Sequence, residues 1–258
     1  MSSTFPFTSA LVTGASSGIG EAMVELLGEA GIPTVVVARR RERLDELAGR
    51  FPMVEVLAAD LTTAKGLKAV VARVESAAMP IDLVVNNAGF GTSGEFHTLD
   101  AARLDQEVQL NVAALTRLSR AALGAMVPRG RGFLLNVSSV AGFQPAPKLA
   151  VYAATKAYVT SLTESLHEEV RATGVHVTAL CPGLTRTEFQ SVSNSDASAS
   201  PFPGFAWMDA RDVAETGLED VAKGKALSVP GVIYKSMVTA SGVTPRALAR
   251  RLSALVQR

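Results

Sequence analysis

A doubly wound parallel α/β sheet of about seven strands, with helices on both faces, is the fold class that this 258-residue sequence predicts. Short β-branched runs alternate with longer amphipathic stretches along most of the chain, the pattern of strand and helix in turn. The runs are almost continuously apolar, as strands covered on both faces must be. Hydrophobic residues make up 48% of the chain but aromatics only 5%, so the core is expected to be built from Val, Leu, Ile and Ala rather than from rings. The length is at the upper edge of one α/β domain, and residues 1–258 are read as a single one.

The elements follow in order. "SALVTG" reads as the first strand, with a helix over 18–30; "PTVVVAR" as the second, with a helix over 41–50; "MVEVLAAD" as the third, with a helix over 63–77. "IDLVVNNAG" precedes a long helix over 99–126, "GFLLNVSS" one over 150–173, and "VHVTALCPG" one over 209–223, before a last short strand around 226–230. Residues 184–208 are read as a substrate loop after the sixth strand; the stretch 191–206 is rich in Ser, Pro and Gly, which suits a mobile loop, the alternative being a disordered spacer. Residues 232–258 are read as a helical tail in which Leu248, Leu252, Leu255 and Val256 share one face and arginines the other, suited to packing on the domain or on a sister subunit.

Composition excludes several function classes. Twenty-five Lys and Arg balance twenty-four Asp and Glu, so no overall field draws the protein to nucleic acid or an anionic membrane. Cys181 stands alone, which rules out an internal disulfide and fits a reducing compartment. No charged leader precedes a long apolar core, and no run approaches the roughly 20 apolar residues of a membrane span, so a cytoplasmic location is expected. His97, His167 and His176 lack metal-ligand spacing, and no metal site is assigned.

Candidate functional residues gather at strand ends. "TGASSGIG" places Gly14, Gly18 and Gly20 around Ser16, Ser17 and Ile19 in the turn after the first strand. Small residues there let a pyrophosphate approach the backbone while the next helix offers free N–H groups, although a glycine-rich turn also serves simply to start a helix. After the second strand stand Arg39 and Arg40 where an NAD site would carry an acid; arginine suits the 2′-phosphate of NADP, the alternative being two solvated helix-start residues. Asp60 and Leu61 follow the third strand, where the carboxylate can receive an adenine amino group or cap the next helix. Asn87, Ala88 and Gly89 close the fourth strand at the carboxyl edge, where ligands of open α/β sheets bind.

Tyr152 and Lys156, four residues apart, emerge from one helix face about 6 Å apart along its axis. A nearby ammonium is expected to lower the phenol from its ordinary value of about 10 and make it usable in proton transfer, although such pairs also arise by chance. Ser139, thirteen residues earlier, can hold a carbonyl oxygen, and Asn111 is a polar residue in an apolar helical stretch, suited to bonding backbone or a relaying water.

"TGASSGIG", "NNAG", Asn111, "NVSS", "YAATK" and "CPGLTRTEF" together resemble the short-chain dehydrogenase/reductase family, in order and approximate spacing, from residue 8 to about 190. The resemblance implies a Rossmann-type NAD(P)-binding fold and a tetrad of Asn111, Ser139, Tyr152 and Lys156, the thirteen-residue interval favouring Ser139 over Ser138. It further implies that Lys156 bonds the nicotinamide ribose and that Pro182, Gly183, Leu184, Thr185 and Thr187 hold the carboxamide. The chain departs from relatives with a basic residue inside the glycine turn, where Ser17 stands, and looks like the NADP-preferring members, with Arg40 the more telling arginine. The implied function is NADP(H)-dependent interconversion of a carbonyl and a secondary alcohol in a homodimer or homotetramer. A catalytically silent NADPH-sensing protein is the alternative, whose mark would be a damaged tetrad. Phe90, Phe143, Pro145, Phe189, Phe202, Phe205 and Trp207 suggest a bulky apolar substrate or, equally, a covered core edge.

Overall fold

The computed structural model describes residues 5–193 and 203–244. Seven strands form one sheet: β1 (Ala10–Thr13), β2 (Thr34–Ala38), β3 (Val54–Ala58), β4 (Leu83–Asn86), β5 (Gly132–Val137), β6 (Val175–Leu180) and β7 (Leu227–Ser228). Their order is β3-β2-β1-β4-β5-β6-β7, and every pairing is parallel. The order reverses direction between β1 and β4, which opens a crevice at the carboxyl edge where ligands of such sheets bind.

Helices α1 (Gly18–Glu29), α2 (Arg41–Arg50), α3 (Ala64–Val74), α4 (Ala101–Val108), α5 (Leu115–Met126), α6 (Ala150–Glu169), α7 (Phe189–Val192), α8 (Ala210–Ala222) and α9 (Val232–Val243) accompany the sheet. Two large apolar cores result among the described residues, beside a small cluster of Ala179, Cys181, Val229 and Tyr234. One packs Met23, Leu27, Val213 and Leu218 from α1 and α8 onto Val12, Val36, Val85 and Leu135. The other packs Val70, Val74, Leu118, Ala122 and Met126 from α3 and α5 onto Leu11, Val35, Val84, Leu134 and Val177. Alternate residues of each strand thus feed opposite faces, as a period of two requires.

Three predicted boundaries are corrected. The helix expected over 150–173 ends at Glu169, because the chain turns through Thr173 and Gly174, the latter at φ 76°. The last strand is only two residues long, and Pro230, which has no N–H to donate, follows it closely. The helix expected over 99–126 contains a π-helical turn, Gln109–Ala114, between α4 and α5. The arrangement of Phe202 and of the tail residues Leu248, Leu252, Leu255 and Val256 lies outside the described residues.

The sheet edge at β3 carries a charged guard. Arg73 of α3 donates from Nε to both carboxylate oxygens of Glu55, at 3.0 and 3.1 Å, and from Nη2 to Oε2 at 3.0 Å. Among the described residues, no helix is long and apolar enough to cross a membrane.

Candidate active site

The glycine-rich turn is braced from the neighbouring strand. Thr13 Oγ1 accepts from the main-chain N–H groups of Asn87 (3.0 Å) and Ala88 (3.1 Å), while Asn87 Nδ2 donates to the carbonyls of Thr13 (3.0 Å) and Gly14 (3.2 Å). Gly14 has φ +67°, and a Cβ on it would lie 2.9 Å from the Ala88 Cα; one on Gly20 would overlap the Gly14 carbonyl and the Asn87 amide. The backbone is therefore bare where α1 begins, and Ser17, its N-cap, makes no side-chain capping bond. This cradle, with the first N–H groups of α1 facing it, fits the pyrophosphate of a dinucleotide.

The two arginines part company. Arg40 reaches the turn, donating from Nε and Nη2 to Ser16 Oγ at 3.2 and 3.0 Å and from Nη2 to the Ser16 carbonyl at 3.1 Å, while Nη1 meets Glu188 at 2.8 Å. Arg39 is exposed and acts electrostatically on Asp60 instead. Burial alone would raise the Asp60 carboxyl, but hydrogen bonds from the Thr62 side chain and main chain, aided by Arg39, hold it below its ordinary value. Asp60 Oδ1 takes both Thr62 bonds, at 2.7 and 2.9 Å, so it shapes the turn into α3, whose own N-cap is Thr63. The Leu61 side chain belongs to the second core, which leaves its main chain for any ligand contact.

The end of β6 delivers a second set. Pro182 accepts at its carbonyl from Val140 N–H (3.0 Å) and from Ser139 Oγ (3.4 Å). Gly183 lies under the Tyr234 ring, whose hydroxyl accepts from Leu184 N–H at 3.0 Å and donates to the Ala206 carbonyl at 2.6 Å. Thr185 bonds the Gly183 carbonyl, and Thr187 sits over Gly18 with its hydroxyl accepting from Phe189 N–H. The segment then runs to the other end of the crevice, where Phe189 packs against Tyr152 with ring centroids 5.2 Å apart and Ser193 Oγ accepts from Gly91 N–H.

Asn111, Ser139, Tyr152 and Lys156 meet at the centre. Asn111 Oδ1 accepts from Phe90 N–H (3.2 Å), and its Nδ2 donates to the Phe90 carbonyl (2.8 Å) and to Thr155 Oγ1 (3.1 Å). It sits inside the π-turn, a helical irregularity frequent at functional sites. Lys156 Nζ donates to the Val137 carbonyl at 2.8 Å and lies 5.6 Å from the centroid of the Tyr152 ring. Ser139 Oγ accepts from Ala141 N–H at 3.1 Å and exerts a hydrogen-bonding pull on Tyr152. Ser138 is turned inward, 2% exposed, donating to the Lys156 carbonyl and sharing a bond with Thr160, which leaves Ser139 as the serine facing the crevice.

The electrostatics correct one expectation. Burial pushes the Tyr152 phenol up to about 12 in the protein chain alone; the downward pull comes from Ser139, while Glu107 and Cys181 push it further up. Burial also brings Lys156 down to about 8, against the opposing influence of Cys181 and Glu107. Desolvation thus outweighs the ammonium effect expected from helix spacing.

Sequence reasoning missed Thr13, Glu188, Tyr234 and Glu107. Glu188 lies inside "CPGLTRTEF", and its adjacency to Thr187 was the available signal. Thr13 opens "TGASSGIG", where only the glycines signal a ligand, and Tyr234 carries no motif; the roles of both arise from tertiary contact. Among the expected cleft residues, Phe205 is 77% exposed, Pro145 is exposed, and Phe90 lies beneath the Arg103 guanidinium at 5.0 Å.

Known proteins converge on the same family. The family model for short chain dehydrogenases matches residues 8–198. An uncharacterised oxidoreductase of Staphylococcus epidermidis is 36% identical over 179 residues, 69% of this chain and 78% of that protein. A short-chain dehydrogenase from Sphingobium yanoikuyae, solved in complex with NADPH, is 34% identical with a TM-score of 0.82, over 91% of this chain and 93% of that one. A bulky-bulky ketone specific alcohol dehydrogenase from Comamonas testosteroni is 31% identical with a TM-score of 0.76, over 93% and 96% of the two chains. With the motifs, the strand order and these relatives in agreement, the chain belongs to the short-chain dehydrogenase/reductase family of oxidoreductases.

Proposed function

We propose that the protein interconverts a carbonyl and a secondary alcohol with NADP(H), using Tyr152 as general acid and base. The observation that carries this reading is the meeting of Ser139, Tyr152, Lys156 and Asn111 beside the bare glycine turn. The dinucleotide, when bound, supplies or accepts the hydride. Gly14, Ser16, Ser17, Gly18, Ile19 and Gly20 cradle its phosphates, Asp60 and the Leu61 main chain face its adenine, and Asn87, Ala88 and Gly89 flank its middle. Pro182, Gly183, Thr185 and Thr187 hold its nicotinamide end.

In the reducing direction Ser139 donates a hydrogen bond to the substrate carbonyl and Tyr152 passes it the hydroxyl proton. Lys156 stabilises the phenolate left behind and binds the ribose, and Asn111 fixes the backbone of Phe90 beside them. Oxidation runs these proton steps backwards. Lys156 must carry its charge for this, and its value of about 8 gives the sign: deprotonation removes the stabilising cation. The kcat/KM for reduction, which reports the free enzyme, is therefore expected to hold below about pH 8 and to fall as pH rises through it.

Arg40 supports the choice of NADP(H), since its Ser16 bonds point it at the mouth of the cradle, and the Sphingobium relative holds NADPH. Replacing Arg40 with Ala is expected to raise the KM for NADPH by about ten- to a hundredfold, the worth of a charge-assisted bond, with NADH little affected. The ketone preference of the Comamonas relative and the aromatic cover of Phe189 over Tyr152 support a bulky apolar substrate. The deciding experiment follows NADPH absorbance with a panel of bulky ketones and aldehydes. Consumption of NADPH with at least one is expected; silence across the panel, with NADPH tightly bound, would favour a nucleotide-sensing protein instead.

Self-association through the α4–α6 face belongs to the same reading. A groove of about 410 Å³ runs there between Phe96, Val108, Val112, Ala150, Val151, Ala154 and Thr155, and Phe96 and Val108 are exposed. Val108→Arg is expected to shift the mass seen by light scattering from dimer or tetramer towards monomer.

A further inference from the structure

Arg40 is held at both ends of its guanidinium. Bonds from Nε and Nη2 tie one edge to the Ser16 hydroxyl and carbonyl, at 3.2, 3.0 and 3.1 Å. The remaining nitrogen, Nη1, donates to Glu188 Oε2 at 2.8 Å. The other oxygen of Glu188, Oε1, stands 4.0 Å from Nη2 of Arg43, so this carboxylate lies between two arginines at the start of α2.

A place between two guanidinium groups is one that a phosphate also favours. A phosphate monoester brings a charge of about −1.5 to −2 at pH 7 and three acceptor oxygens, whereas a carboxylate brings a single charge and two oxygens. The hydrogen bond from Arg40, opposed by burial and aided by the charges of Arg40 and Arg43 and by Ser17, holds the Glu188 carboxyl below its ordinary value, so it is ionised at neutral pH.

We propose that Glu188 is a specificity-determining residue: its carboxylate competes with the 2′-phosphate of NADP(H) for the Nη1 end of Arg40, lowering affinity for the phosphorylated cofactor and leaving affinity for NAD(H) untouched. This rests on the NADP(H) reading given to Arg40. The competition belongs to one side chain rather than to the segment that carries it. Before Glu188 the main chain is tied where Arg186 N–H donates to the Met208 carbonyl at 3.0 Å. After it, Arg103 donates to the Val192 carbonyl, and Ser93 N–H to the Ser193 carbonyl at 3.0 Å. Phe189, the next residue, packs against Tyr152. The Arg40 and Glu188 side chains are each 45% exposed, so the carboxylate can turn out into solvent while the backbone stays in place. Exposed ion pairs of this kind are weak, and a phosphate of higher charge overcomes them.

The test uses full-length protein and measures, by calorimetry, the binding of adenosine 2′,5′-bisphosphate and of adenosine 5′-monophosphate, which differ by the one phosphate at issue. Glu188→Gln, which keeps the shape and removes the charge, is expected to tighten the bisphosphate about fivefold, the worth of the strongest exposed ion pairs, and to leave the monophosphate unchanged. In an Arg40→Ala background the same replacement is expected to change neither. Glu188→Ala is expected to tighten the bisphosphate as Glu188→Gln does, which separates the lost carboxylate from the added amide. Unchanged or weaker bisphosphate binding in either Glu188 variant, an equal gain for the monophosphate, or an undiminished gain without Arg40 would overturn the proposal. Wild-type protein that prefers the bisphosphate, with nothing gained in Glu188→Gln, would defeat this inference alone; no preference in either protein would defeat the NADP(H) reading along with it.

Discussion

Tyr152→Phe is expected to lower turnover by about 10²–10⁴-fold, the span over which a positioned acid–base group contributes, while NADPH still binds. The ring would stay where it is, because it packs against Phe189 and lies beneath α7. Only the hydroxyl, with its link to Ser139, would be lost. Fluorescence titration of NADPH beside steady-state reduction separates the two quantities. Retained turnover with a good substrate would show that the proton comes from elsewhere, and a matching loss of NADPH affinity would show that the hydroxyl serves binding instead.

Gly20→Ala is expected to abolish measurable NADPH binding and to cost about 1–3 kcal/mol of stability, the usual toll of forcing an extra carbon into a packed site. The added Cβ meets the Gly14 carbonyl and the Asn87 amide, both anchored through Thr13 to β4. Neither can swing aside, so α1 must move back and take its first N–H groups away from the phosphates. Gly49→Ala is the contrasting case. Nothing lies within 4 Å of a Cβ there, and the residue is inside α2, so stability should rise by about 0.4–1 kcal/mol. Thermal melts of the two variants, with and without NADPH, check both expectations; equal behaviour would mean that space around Gly20 is not limiting.

The strands were legible because buried parallel strands must be apolar on both faces, and runs such as "TVVVA" and "FLLNV" have few other uses. The candidate site was legible where chemistry demands fixed spacing, as for Tyr152 and Lys156 on one helix or the glycines of the first turn. What stayed hidden depends on distant contacts. Nothing in "QLNVAA" distinguishes a π-turn from an α-helical one, since the apolar positions serve both. Glu107 looks like any polar residue of an amphipathic helix, and only the fold buries it completely. Likewise Arg39 and Arg40 are neighbours of one type, and the twist at the start of α2 decides which reaches Ser16. The phenol's rise to about 12 is a burial effect that helix spacing could not reveal.

The pairing of Glu55 with Arg73 on β3 has a bearing on colloidal behaviour. An open outer strand exposes unbonded peptide groups that can recruit a strand from a neighbouring molecule and seed precipitation. Two opposite charges clasped across that rim make such recruitment expensive, because a newcomer would have to strip them of water. At the opposite rim β7 is too short to act as a template. Both outer strands of the sheet thus carry a feature that disfavours edge-to-edge pairing with another chain.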